Sequence, residues 1–62
     1  MNKAEIERLI RMEGIYRWEI AKAIGIHETS LSRWFRGELT ESQMLAILSA
    51  IEKIKLERMG AK

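Results

Sequence analysis

The sequence contains no cysteine and no proline, only four glycines, and four aromatic side chains among its 62 residues. Without cysteine, neither a disulfide framework nor a thiolate zinc site can reinforce a chain this short. With a single histidine, His27, an imidazole-based metal site lacks ligands as well, and no metal or other cofactor is expected. Apolar runs are too short to span a bilayer, and no charged start followed by an apolar stretch opens the chain. A cytoplasmic protein with no membrane contact is therefore the expectation. Catalytic constellations are missing too: no acid–base pair, no nucleophile with a base and no phosphate-cradling glycine loop can be assembled. Neither enzymatic activity nor a small-molecule substrate is expected.

What the chain does have is charge and helical periodicity. Eleven Lys and Arg against nine Asp and Glu leave a formal net charge of +2, which says little by itself, but the excess is local. Between Gly14 and Gly37 the cations are Arg17, Lys22, Arg33 and Arg36, and the anions only Glu19 and Glu28. Apolar residues recur at helical spacing throughout, so the expected fold is a small all-α bundle occupying residues 1–62 as one domain. Ile6, Leu9 and Ile10 share a face of a first helix that ends near Glu13, with Gly14 as the left-handed terminator. A short second helix, Arg17 to Ile24, places Ile20, Ala21 and Ile24 on one side and stops at Gly25, which opens a tight turn.

A third helix, Glu28 to Arg36, is expected to bury Leu31, Trp34 and Phe35, with Trp34 as core, and to expose Glu28, Thr29, Ser32, Arg33 and Arg36. After Gly37, Thr40 and Gln43 form a capping-box pattern that opens a long last helix, about 41–58. Its residues Met44, Leu45, Ile47, Leu48, Ile51, Ile54, Leu56 and Met59 cover a wider arc than a three-helix core requires. Ile47, Ile51, Ile54 and Leu56 are accordingly assigned to a homodimer contact. Lys53, Lys55, Arg58 and Lys62 alternate with Glu52 and Glu57, which reads as a solvated face rather than a membrane-binding one.

The stretch 17–37, RWEIAKAIGIHETSLSRWFRG, sets two short helices across a turn too brief for an antiparallel pair. Ala21 is small where the helices cross, Gly25 is free to take positive φ, and Ile20, Ile24, Ile26, Leu31 and Trp34 supply a shared core. With these positions the chain resembles the lambda-repressor-like (Cro and repressor type, or XRE) helix-turn-helix family over about residues 6–37. The resemblance implies a bundle of four helices, or five where the last segment divides, and double-stranded DNA as the partner, bound by a homodimer. It also implies roles by position: Glu28, Thr29, Ser32 and Arg33 on base edges, and Arg17, His27, Arg36 and the Gly37 amide on the phosphate backbone. The implied function is sequence-specific regulation of transcription, typically repression, in a phage, plasmid or other mobile element. A second reading keeps the fold but makes it a protein-interaction module that antagonises a larger regulator through its last helix.

Overall fold

The computed structural model describes residues 2–60; Lys62, placed above on a solvated face, lies outside them. Four helices follow one another: α1 (Lys3–Glu13), α2 (Arg17–Ile24), α3 (Glu28–Arg36) and α4 (Glu41–Gly60). There is no strand among the described residues, and none of the helices is long and apolar enough to cross a membrane. The last helix is continuous and runs two residues beyond the expected Arg58.

Local chemistry sets the helix ends. Asn2 and Glu5 form a capping box at the start of α1: the Glu5 N–H donates to Asn2 Oδ1 at 2.9 Å, and the Asn2 N–H donates to Glu5 Oε1 at 3.0 Å. α1 and α2 terminate alike. Gly14 (φ 67°) and Gly25 (φ 94°) are left-handed, and the residue after each glycine donates its N–H back into the helix, Ile15 to Ile10 O at 3.1 Å and Ile26 to Ala21 O at 3.0 Å. Each reversal thus delivers an isoleucine to the interior, Ile15 fully and Ile26 in part. α4 opens with the expected box, in which the Gln43 N–H donates to Thr40 Oγ1 at 3.1 Å and the Thr40 N–H to Gln43 Oε1 at 3.0 Å.

The core is aliphatic, with Ile6, Ile20, Leu31 and Ile47 completely enclosed, one from each helix. α2 is the central packing element, lying against both α4 and α3, while α1 lies against α4. Phe35 rather than Trp34 fills the aromatic position of the core: Phe35 is buried, and Trp34 only packs against the core from its edge. The reversal follows from helical geometry, since Phe35 lies one turn beyond Leu31 on the inward side, whereas Trp34 falls on the flank. The expected dimer contact is also corrected. Ile47, Ile51 and Ile54 are 0, 3 and 7% exposed, so they close this chain's own core and can meet a partner only if it opens. Of the four residues assigned to that contact, Leu56 alone is exposed.

Candidate nucleic-acid interface

α2, a three-residue turn and α3 form the unit that carries the candidate site. Its first half begins at Tyr16, whose side chain makes no cap; instead the Tyr16 N–H donates to Glu19 Oε1 at 3.0 Å. α3 begins at His27, exposed and in extended conformation, again with no side-chain cap. Glu28 in the first turn puts negative charge where the helix dipole favours it, and Arg33 and Arg36 in the last turn do the converse.

The outward side of α3 assembles most of the residues assigned to it. At about 100° per residue, Thr29, Arg33 and Arg36 fall within an arc of about 60° opposite Leu31, and all three are exposed. Ser32 sits half-buried on the flank, and Glu28, exposed, lies further round toward the Phe35 side. Neither Arg33 nor Arg36 has an ion-pair partner among the described residues, so both guanidinium groups offer their full set of donors to solvent.

Arg17 is held differently. Its guanidinium carbon lies 4.5 Å above the centre of the Phe35 ring, and one of its nitrogens is 3.7 Å from Glu7 Oε2. The cation is stacked and paired within the fold, although nearly half of the side chain stays accessible. The stacking spans from the first residue of α2 to the last turn of α3, so the ends of the two motif helices are fixed to each other.

Two further cations brace the unit, and neither is assigned to this task by the sequence pattern. Lys3 Nζ donates to the carbonyl oxygens of Phe35 (3.0 Å) and Gly37 (3.2 Å), satisfying acceptors that the end of α3 leaves unpaired. From the far end of α4, Arg58 donates to Glu13 O (3.2 Å), Gly14 O (3.4 Å) and both carboxylate oxygens of Glu19 (3.1 and 3.2 Å). The Glu19 carboxyl is held below its ordinary pKa, first by the Tyr16 N–H and also by Arg58, against an opposing effect of burial. No signal in the sequence marks the Lys3 and Arg58 contacts, because most of their partners are backbone carbonyls far along the chain.

Comparison with known proteins finds no matching family model, no matching curated sequence and no matching solved structure.

Proposed function

We propose that this protein is a sequence-specific double-stranded DNA-binding protein of the helix-turn-helix type that lays α3 in the major groove. The observation that carries the proposal is the outer face of α3. A short helix, braced at its C-terminal end by Arg17 and Lys3, presents Thr29, Arg33 and Arg36 together, exposed and, for the two arginines, without internal partners among the described residues. An α-helix with such a face suits the width of the major groove, where arginine forks match guanine O6 and N7. Thr29 in the first turn and Arg33 one turn beyond it suit base edges; Arg36, at the end of α3, suits phosphate, as do Arg17 and His27 at the openings of the two helices. Glu28 fits a cytosine amino group or a neighbouring guanidinium. The resemblance to lambda-repressor-like regulators supports a transcriptional repressor or related accessory factor of a mobile element, acting as a homodimer on DNA.

Selection of random duplexes on the purified protein tests this. Enrichment of a half-site, or of two half-sites about one helical turn apart, is expected; recovery of unenriched sequence would reject it. The interaction-module reading draws on another observation, the exposed Leu45, Leu56 and Met59 of α4, and predicts a protein that captures a partner but gives no enriched duplex.

A further inference from the structure

A glycine follows each of the first three helices, and the third glycine is used differently. The Gly14 N–H donates to Arg11 O and the Gly25 N–H to Ala21 O, so both of these left-handed residues use their amides to close the helix they end. Gly37 is extended (φ -110°, ψ -158°), and its N–H has no hydrogen-bond partner among the described residues. The end of α3 is held instead by a side chain from α1, with Lys3 Nζ donating to Phe35 O at 3.0 Å and to Gly37 O at 3.2 Å.

Nothing in the fold requires glycine at position 37. Its backbone angles are open to any residue, and a Cβ there meets nothing within 4 Å. What glycine does provide is bare main chain beside an exposed, unpaired N–H, where a ligand can approach the backbone closely. Its neighbour Arg36 is also exposed and has no ion-pair partner among the described residues. A main-chain donor next to a free guanidinium suits a phosphate oxygen.

We propose that Lys3 is the positioning residue for a DNA phosphate bound at the Gly37 N–H. This deepens the DNA-binding proposal and rests on it: the resemblance implies a phosphate at that amide, and the further step is how the fold keeps the amide free. A left-handed turn would direct the N–H of residue 37 back into α3, as happens at Gly14 and Gly25. Lys3 caps the helix from outside, and its ammonium bridges the carbonyls on either side of Arg36. Lys3 is itself fixed as the first residue of α1, between the Asn2 and Glu5 of its capping box. Arg17 stacks on the Phe35 ring at 4.5 Å, so the last turn of α3 is held through a ring and a carbonyl of the same residue.

The test uses the duplex that the wild type selects from random sequence, together with its scrambled counterpart. Lys3→Met, Lys3→Arg, Gly37→Val and the double variant of Lys3→Met with Gly37→Val are titrated on both, and amide exchange at Gly37 is followed with and without DNA. In the wild type the Gly37 N–H should exchange freely without DNA and be protected on the selected duplex. Lys3→Met and Gly37→Val should each weaken binding about two- to tenfold, the range of one hydrogen bond, and by the same factor on both duplexes. Lys3→Arg, whose guanidinium can also bridge two carbonyls, should recover most of the affinity. The double variant should bind no more weakly than Gly37→Val alone, whereas Lys3→Met should lower the thermal midpoint in either background, because the cap is lost in both. Gly37→Val meets no steric obstacle and keeps the phosphate contact testable even where Lys3→Met unfolds. A Gly37 N–H already protected in the free protein, or still unprotected on the duplex, would overturn the proposal. So would a Lys3→Met loss undiminished by Gly37→Val, which would make Lys3 a charge that acts on DNA by itself. A wild type that selects no duplex rejects the DNA proposal and this inference with it; a wild type that selects one and binds it equally well as folded Lys3→Met rejects this inference alone.

Discussion

Gly14 and Gly25 close their helices in the same way, yet they differ in what can replace them. A Cβ at either meets nothing within 4 Å, so any cost of substitution is backbone strain rather than collision. Gly14, at φ 67° and ψ 36°, lies within the left-handed region that asparagine tolerates; Gly25, at φ 94°, lies beyond it. Gly14→Asn should leave the thermal midpoint close to wild type, and Gly25→Val should lower stability by about 1–3 kcal/mol. Equal melting curves for the two variants would show that the turn before α3 is not so constrained. The aromatic pair in α3 gives a second contrast. Phe35→Ala removes a buried ring and the surface on which Arg17 stacks, at about 3–5 kcal/mol, which is as much as the core of a domain this small supplies. It should be unfolded by circular dichroism at room temperature, whereas Trp34→Ala should stay folded with a lowered midpoint. Periodicity alone does not separate these neighbours, because both fall near the apolar arc and the choice depends on where α2 lies, a tertiary fact. Positive φ at Gly25, by contrast, is legible in the sequence, since so short a turn has to bring Ile26 inward.

The bounds of α2 and α3 are legible to the residue because glycines mark both turns and the capping pattern of Thr40 and Gln43 marks the next start. Asn2 and Glu5 carry an equally plain signal for the start of α1, an Asn followed three residues later by Glu. In α4 the sequence is ambiguous for a physical reason. Apolar residues on two opposite faces give no single stripe, so periodicity cannot say which face is core, and Ile47, Ile51 and Ile54 read as a partner contact although they close this chain's own interior. The joint between α1, α2 and α4 makes a pH prediction. Glu19 is favoured as carboxylate in the folded chain by the Tyr16 N–H and Arg58, so its folded pKa lies below its unfolded one. Its stabilising contribution is full above the unfolded value and disappears as pH falls through the folded value. Melting midpoints measured from about pH 7 down to about pH 3, across the carboxylate range, should therefore fall less steeply for Glu19→Gln than for wild type, from a lower starting point at neutral pH. Parallel profiles would mean that the fold does not favour the Glu19 carboxylate in solution, through either the Tyr16 N–H or Arg58.

Across the whole molecule, Lys3, Arg17 and Arg58 hold helix ends together, while Arg33 and Arg36, like Arg8, Arg11, Lys22 and Lys53, have no ion-pair partner among the described residues. Which arginines are engaged and which are not is a tertiary fact, which is why charge counting along the chain locates the region but does not sort its members. It also predicts how substitutions at these positions differ. On the proposed DNA-binding reading, Arg36→Ala should weaken binding to all duplexes, reducing the slope of log K against log salt by about one unit for each phosphate that its arginine would hold. Arg33→Ala provides the most direct test that the outer face of α3 reads sequence. Titrated at several salt concentrations on a selected duplex and on its scrambled counterpart, it should cost about 1–3 kcal/mol on the selected duplex, relax discrimination at one base pair, and leave the scrambled duplex nearly unchanged. Equal weakening on both duplexes with a flattened salt slope would contradict the account and make Arg33 a backbone contact.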